Sequence, residues 1–388
     1  MEFTGRREDG KGRRKGRLAT FLSSRLPVIV LSSCATLASA GHGDENLPSS
    51  GVGPFRPLTD TELSHANVPP YVFSDTAALY REPSVLPLSS DPGAMAVALY
   101  VVAHVGGHDA IVRTHADDAR SFYGGSADNQ DTSHPRHVPP VVLKADQPWE
   151  GTDLSGPSAL SVGGQVWLYY AAAGGIGLAQ SSDGATFTKL SQPVLAPGSG
   201  WESTPPRAPS VAVFPDGSWH MLYAAGDSIG EATSDDGKTW TRVGDPVLAP
   251  TPAVDPSTLP PGVQPPFDEG QVGDPLLLPR TTIAGRLQVR VLYTGWNAPP
   301  GTASRQSAIG LAGRYGDAGP LSRQSAPVYT VALHEAAPAL FEWSGGSLLY
   351  VQEDDTSISP TTPFTSIAAA FAPVAGTLPP AAPFPDGP

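Results

Sequence analysis

The chain has 388 residues, which is enough for one large all-β domain or two smaller domains. Its 42 Gly and 43 Pro residues are too many for a helical bundle and indicate short strands joined by turns. A surface with a net charge of −13 repels phosphate backbones, so we expect no nucleic-acid partner. One Cys and three Met leave little material for a disulfide framework or a metal–thiolate site.

The first 40 residues have the features of an export signal. Basic residues precede a short apolar run, LPVIVLSSC at residues 26–34, which is too short to span a bilayer as a helix. The segment LSSC resembles a bacterial lipobox, which predicts that Cys34 is lipidated and is the only membrane anchor. Cleavage after Ala40, or no export at all, remain the alternatives. Residues 41–58 are expected to form a flexible tether, so the protein would be a cell-envelope lipoprotein or secreted.

The middle of the chain contains a sequence repeat. PVLAP at residues 193–197 occurs again at 246–250, and SSDGATF at 181–187 matches SDDGKTW at 234–240 in the same register. Each copy has a Pro-Ser opening, an apolar run, a Gly turn, an aromatic run, and an Asp-Gly turn before a last short strand. Four strands in about 50 residues are typical of a propeller blade.

Three weaker copies, at residues 81–122, 273–314 and 335–371, bring the number of blades to five. The sequence therefore predicts an all-β fold, a five-bladed β-propeller of four-stranded antiparallel blades, over residues 59–377. The Asp-Gly turn is expected to link the third strand to the fourth, because Asp and Gly tolerate a positive φ. The Pro-rich residues 378–388 are expected to be disordered, and the protein to be a monomer.

Five blades whose first strands contain Pro resemble the five-bladed propeller glycosidases. Family 43 glycoside hydrolases are the nearest in this pattern, with the levanase/invertase and mannoside-phosphorylase families as relatives. The resemblance covers residues 80–375. It implies a carbohydrate substrate, no catalytic cofactor, and hydrolysis by two carboxylates in an axial funnel with inversion at the anomeric carbon.

The resemblance places the catalytic carboxylates at the starts of first strands. Asp274, in GQVGDPLLL, matches the Asp-Pro of the family and would adjust the pKa of the general acid. Glu335, in HEAAPALF, resembles the glutamate that serves as general acid, although one extra residue separates it from Pro338.

The general base has no direct counterpart in the sequence. The matching position is Gly156, and the closest carboxylate is Asp153, in WEGTDLSGP. Glu82, in YREPSVL, stands directly before its Pro but one blade earlier than expected. Asp153 and Glu82 are both candidates. If neither serves, the propeller would bind a glycan or scaffold envelope proteins without hydrolysis.

Four further residues are candidates for substrate binding: Asp268, Glu269, Arg207 and Trp296. Asp268 and Glu269 lie on the loop that leads to Asp274, and Trp296 follows the central strand of its blade. The resemblance also allows a structural calcium ion in the axial channel, near His334. No other metal or cofactor is expected.

A sialidase-like enzyme is a second hypothesis. Residues 233–240, TSDDGKTW, fit the Asp-box pattern, and the segments at 81–83 and 207–209 are weakly similar to an Arg-Ile-Pro motif. Sialidases have six blades and three arginines that bind a carboxylate, whereas the sequence shows five blades and no convincing set of three arginines.

Overall fold

The computed structural model describes residues 53, 55–58, 71–73, 79–125, 137–281, 287–331, 334–355 and 364–373. All of them belong to one compact unit, residues 42–388. The predicted signal, Cys34 and the Pro-rich tail lie outside the described residues. No helix in the described part of the chain is long and apolar enough to cross a membrane.

Five antiparallel sheets form a ring, so the predicted five-bladed β-propeller is confirmed. With strands numbered in chain order, the bounds are β1 Arg56–Pro57, β2 Tyr71–Phe73, β3 Arg81–Pro87, β4 Val97–Val105, β5 His108–Ala116, β6 Val141–Leu143, β7 Ser155–Val162, β8 Gln165–Ala172, β9 Gly175–Ser181, β10 Thr188–Lys189, β11 Arg207–Val213, β12 Trp219–Ala225, β13 Ser228–Ser234, β14 Thr241–Arg242, β15 Gln271–Thr281, β16 Leu287–Trp296, β17 Ser307–Tyr315, β18 Ser322–Arg323, β19 Glu335–Trp343, β20 Gly346–Asp355 and β21 Phe364–Pro373. Blades 1 to 4 begin at β3, β7, β11 and β15, and blade 5 begins at β19. Each first strand contacts the first strand of the next blade, and β19 contacts β3, which closes the ring.

The fifth blade is built from both ends of the chain. β19, β20 and β21 are its first three strands, and β1 pairs with β21 as an outer strand, while β2 also pairs with β21. Phe55 and Leu58, which flank β1, are 1% and 2% exposed. Residues 55–58 are therefore part of the propeller, although the sequence places them in a tether. Their pairing partner lies at the opposite end of the chain, where local sequence cannot reveal it.

Every first strand starts with the same backbone distortion. The residue before Pro has a φ between 44° and 54° in all five blades, and the strand register shifts at this point. These residues are Glu82, Gly156, Ala208, Asp274 and Ala337. A positive φ strains any residue other than Gly, so four of the five positions each carry a cost of roughly 1–3 kcal/mol. Such strain is concentrated in proteins at functional sites.

Serine side chains tie neighbouring first strands together. In blades 1 to 3 the residue after Pro is Ser, and its hydroxyl oxygen accepts a hydrogen bond from a backbone N–H of the next first strand. The pairs are Ser84 with Ala159 (3.0 Å), Ser158 with Val211 (3.2 Å) and Ser210 with Leu277 (2.9 Å). The repeated Pro-Ser of the sequence is thus explained by packing around the axis.

The Asp-Gly turns link the third strand to the fourth in blades 2 and 3, as predicted. The Asp236 carboxylate accepts hydrogen bonds from two N–H groups further along its own turn, each at 2.8 Å. Tyr169 of the preceding blade donates its hydroxyl proton to the Gly237 carbonyl at 2.5 Å, and its ring meets that of Trp240 edge-on. The turn therefore also joins two blades.

A buried ion pair with a tyrosine recurs in blades 2, 3 and 4. A carboxylate from the segment before the first strand accepts the hydroxyl proton of a second-strand Tyr and contacts a cation of the fourth strand. These blade triads are Glu150–Tyr170–Lys189, Glu202–Tyr223–Arg242 and Asp268–Tyr293–Arg323. All three carboxylates are at most 5% exposed. Each blade triad thus holds a short outer strand to its blade.

Candidate active site

The starts of the first strands and the turns between second and third strands lie at one end of the propeller. This follows from antiparallel pairing, which places Arg81 opposite Val102 and Gln271 opposite Trp296. At this end an open cavity of about 500 Å³ lies between the blades. We call it the mouth cavity, and its lining residues include Glu82, Arg207, Asp274, Trp296, Arg305, Gln352 and Asp354.

Glu82 contributes a carboxyl group to the mouth cavity. Its Oε2 accepts a hydrogen bond from the Gly156 N–H of the next blade at 2.5 Å, and its own N–H donates to Gln352 Oε1 at 3.3 Å. Burial raises the pKa of the Glu82 carboxyl. The Gly156 N–H opposes this rise of the pKa, and the negative charge of Asp274 adds to it. The carboxyl therefore keeps its proton to a higher pH than an exposed glutamate.

Asp274 occupies the equivalent position in blade 4. The N–H of the next blade's pre-proline residue, Ala337, here donates to Thr294 Oγ1 at 2.9 Å, and both groups act to lower the pKa of the Asp274 carboxyl. Burial raises the pKa of Asp274, and the positive charges of Arg207 and Arg305 are among the influences that oppose the rise. The two pre-proline carboxyl groups thus occupy equivalent backbone positions but have different hydrogen-bond partners and different charged neighbours.

Burial thus raises the pKa of both carboxyl groups that line the mouth cavity, and the positive charges of Arg207 and Arg305 oppose the rise at Asp274. Glu82 and Asp274 are close enough for the charge of one to affect the pKa of the other. Such a pair is what acid–base cleavage of a glycosidic bond requires. Both residues are among the sequence-based candidates, Asp274 for adjusting a pKa and Glu82 as a base that stood one blade too early.

Arg207 and Trp296, both candidates for substrate binding, line the same cavity. Arg305 joins them from the connection between β16 and β17, and its guanidinium carbon lies 4.6 Å from the centroid of the Trp296 ring. The connection that carries Arg305 contains no motif and no repeat. The sequence therefore offered no signal that this arginine reaches the site.

Glu335 lies outside the lining of the mouth cavity. It is fully buried, and its carboxylate accepts hydrogen bonds from the Val331 N–H (2.5 Å) and the Thr330 hydroxyl (3.4 Å). The pre-proline position of blade 5 is held by Ala337, two positions later. The extra residue before Pro338 thus separates Glu335 from the place that a catalytic glutamate would take. Its role as general acid stays a prediction that this placement does not favour.

Asp153 also lies outside the lining of the mouth cavity. Its Oδ1 accepts a hydrogen bond from the Asp109 N–H at 2.8 Å, and its side chain is 53% exposed. That hydrogen bond, with a second from Thr152, lowers the pKa of Asp153. Gly156, the position that matches the family's base, has no room for a side chain, because a Cβ there would lie 2.8 Å from Ala208 Cα.

Asp268 and Glu269 do not line the mouth cavity, although they lie close to Asp274 in the sequence. Asp268 is 1% exposed and binds Tyr293 and Arg323 in the third blade triad. The Glu269 carboxylate lies 3.5 Å from the Val254 nitrogen. The buried triad accounts for Asp268 without a substrate.

The resemblance allows a structural calcium ion in the axial channel, near His334. Calcium takes six to eight oxygen ligands. In the described part of the chain, no group of three or more His, Cys, Asp or Glu side chains could hold a metal ion. The axial cavity of about 210 Å³ is lined by the pre-proline segments of all five blades, and His334 is not among its lining residues. The described residues thus offer no cluster of carboxylates or imidazoles for a metal, and the calcium ion that the resemblance allows stays a prediction.

The sialidase-like hypothesis needs six blades and three arginines around one carboxylate. The described residues form five blades, and two of their arginines, Arg207 and Arg305, line the mouth cavity. Residues 233–240 form a structural turn at the other end of their blade's third strand. The described structure thus does not have the sialidase arrangement.

No protein-family model and no curated protein matches the chain. A glycosyl hydrolase from Bacteroides ovatus matches in structure with a TM-score of 0.57 at 13% identity, over 85% of this chain and 99% of that chain. A thermostable family-43 glycoside hydrolase matches with a TM-score of 0.53 at 12% identity, over 77% and 92%. A complex of BT0996 with RGII matches with 0.57 at 16%, over 81% and 93%. The chain therefore shares the five-bladed propeller fold of glycoside hydrolases.

Proposed function

We propose that the chain is a glycoside hydrolase in which Glu82 and Asp274 are the reacting carboxyl groups. The observation that carries this proposal is their common position. Both stand before the Pro of a first strand, both line the mouth cavity, and the charge of Asp274 raises the pKa of Glu82. The similarity of the fold to solved glycoside hydrolases supports the same class of reaction.

The charged neighbours suggest which carboxyl group holds the proton. Two arginines act on Asp274 and favour its ionised form. Glu82 has Arg81 as its neighbouring cation, and Arg81 is ion-paired with Asp109, whose negative charge raises the pKa of Glu82. We therefore assign Glu82 as the general acid and Asp274 as the general base.

In the proposed reaction, Glu82 protonates the glycosidic oxygen as its bond to the anomeric carbon breaks. Asp274 removes a proton from the water that attacks the same carbon. Inversion is the predicted outcome for carboxyl groups about 6.5–9.5 Å apart, because a water fits between them. The anomeric configuration of the first product, followed by NMR, tests this prediction.

The substrate is proposed to be a glycan, which agrees with the structural neighbour that is a complex with RGII. Export, lipidation at Cys34 and a location at the cell envelope remain proposals that rest on the first 40 residues of the sequence.

The test is hydrolysis of aryl glycosides and polysaccharides by the wild type, Glu82→Gln and Asp274→Asn. Removal of a general acid or base is expected to lower kcat by about a hundredfold or more. Glu335→Gln and Asp153→Asn are matched controls, which remove a carboxylate outside the mouth cavity and are expected to keep kcat within a few-fold.

The pattern of losses decides between the candidates. Full activity in both Glu82→Gln and Asp274→Asn would overturn the assignment. A hundredfold loss of kcat in a folded Glu335→Gln variant would assign the role of general acid to Glu335, in blade 5. Binding of a glycan without hydrolysis by the wild type would support a non-catalytic propeller instead.

A further inference from the structure

Two guanidinium groups lie in the mouth cavity beside the proposed reacting carboxyl groups. Arg207 directly precedes the pre-proline residue of blade 3, and Arg305 comes from the β16–β17 connection of blade 4. Both positive charges act on Asp274, and the charge of Arg207 also acts on Arg305. The two cations are therefore close to each other as well as to Asp274.

The two guanidinium groups are held by neutral acceptors. Arg207 Nη2 donates to the Gly226 carbonyl at 3.2 Å, and Arg305 Nη2 donates to Gln271 Oε1. Gln271 Nε2 donates in turn to the same Gly226 carbonyl at 3.3 Å. This chain of hydrogen bonds fixes both side chains without neutralising either charge.

Neither arginine forms an ion pair with any carboxylate of the described residues. Arg242, Arg314 and Arg323, by contrast, each contact a carboxylate at 2.6–2.7 Å. The charge of Asp274 acts on both cations but lies beyond ion-pair distance of either. The two partly buried cations are therefore suited to a ligand that brings further negative charge.

We infer that Arg207 and Arg305 bind an oxyanion carried by the sugar at the reacting carboxyl groups. A pair of planar guanidinium forks matches the oxygens of a carboxylate, and matches phosphate or sulfate equally well. Because the arginines share one cavity with Glu82 and Asp274, the anion must belong to the reacting sugar or to a second reactant beside it. The substrate class that this geometry favours is a uronic acid-containing glycan. This inference rests on the proposed function for the identity of the reacting site.

The test compares matched acidic and neutral sugars as ligands of the full chain. Calorimetric titrations use the methyl glycosides of galacturonic and glucuronic acid, in both anomers, against those of galactose and glucose. Inorganic phosphate is titrated separately, to distinguish a sugar carboxylate from a free anion. For at least one pair, the acidic sugar is expected to bind about tenfold or more tightly than its neutral counterpart, and less tightly as salt is added.

Arg207→Gln and Arg305→Gln are each expected to remove this preference, and Arg305→Lys to keep only part of it, because an ammonium lacks the fork. Lys238→Gln is the control, since it removes a positive charge from the Asp-Gly turn of blade 3, away from the mouth cavity. Melting temperatures verify that each variant is folded.

Equal binding of acidic and neutral sugars, or an acidic preference that survives in both Gln variants, would overturn the inference. Binding of phosphate but of no acidic sugar, lost in the same variants, would keep the oxyanion site and overturn its assignment to the sugar. Arginine-dependent binding of an acidic sugar without hydrolysis would uphold the inference while the proposed function fails. Hydrolysis of neutral glycosides at the same rate in the wild type, Arg207→Gln and Arg305→Gln would support the proposed function and overturn the inference.

Discussion

At Glu82 and Asp274, the raised pKa values link proton binding to folding. An unfolded carboxyl group titrates near pH 4, so above this pH the folded protein holds protons that the unfolded chain has released. The stability that these protons provide is complete below about pH 4 and is lost as pH rises through the raised pKa. We predict that Asp274→Asn, which cannot ionise, melts at a higher temperature than the wild type at pH 7. The difference should disappear towards pH 4.

Asp153→Asn is the control, because the contribution of Asp153 to stability is expected to change with pH in the opposite direction. The pKa of Asp153 is lowered, so its contribution is present above about pH 4 and is lost as pH falls. Because this side chain is more than half exposed, the effect should be small. A melting-temperature difference between Asp274→Asn and the wild type that is the same at pH 4 and pH 7 would contradict the assigned shift.

Gly237, in the Asp-Gly turn, needs both its positive φ and its lack of a side chain. Its φ is 69°, and a Cβ there would lie 2.8 Å from Trp219 and 2.9 Å from Trp167. Gly217 has a φ of 90°, but a Cβ built on it would have no atom within 4 Å. We predict that Gly217→Ala costs about 1–2 kcal/mol for the backbone alone, and that Gly237→Ala costs at least about 1 kcal/mol more. Denaturant unfolding measures both, and equal losses would exclude the packing contribution.

The blade triads hold the short outer strands to their blades, and their contribution to stability can be measured. Tyr223 donates to the buried Glu202 carboxylate, which also contacts Arg242. Tyr223→Phe removes one donor from a charged acceptor while it keeps the ring, so we expect a loss of about 1.5–3 kcal/mol in the free energy of unfolding. Denaturant titration of both proteins gives this difference.

Tyr123→Phe is the matched control, because Tyr123 is 49% exposed and belongs to no triad. Its free energy of unfolding is expected to stay within about 0.5 kcal/mol of the wild type. If Tyr223→Phe were equally neutral, the triad would contribute geometry to the blade but no net stability.

The last blade of the ring is completed by pairing the two ends of the described chain. β1 covers the edge of β21, and the adjacent Phe55 packs in a core with Leu349 and Ala370. A variant that lacks residues 1–58 loses this strand and exposes the part of the β21 edge that β1 covers. We expect its unfolding free energy to fall by at least about 3 kcal/mol, as for removal of one buried Phe side chain.

A variant that lacks residues 1–52 keeps β1 and serves as the control, with stability near that of the full chain. Phe55→Ala should reproduce most of the loss without opening the sheet. Equal unfolding midpoints for the two truncated proteins would show that the ring does not depend on β1 for its closure.

The sequence supported some site residues better than others, for a physical reason. Glu82 and Asp274 were found by their place before Pro in a repeated unit, and both line the mouth cavity. Asp153, Asp268 and Glu269 were chosen for closeness in sequence to such a position. A residue that is close to a pre-proline position in the sequence need not be close to it in space, since the chain leaves the axis of the propeller within a few residues. The choice of Glu335 rested on an imperfect motif, and the described structure places it outside the cavity.

The blade pattern, the number of blades and the turn chemistry could be predicted from the sequence, because they depend on local hydrogen bonding and on a repeat that local residues encode. The sequence also identified the pre-proline positions as special. Which of these positions line the mouth cavity depends on closure of the ring, because Glu82 and Asp274 belong to blades that are separate in the sequence. The same closure places Arg305, from a loop without a motif, beside Arg207. It also makes residues 55–58 part of the last sheet, whereas the sequence predicted a tether there.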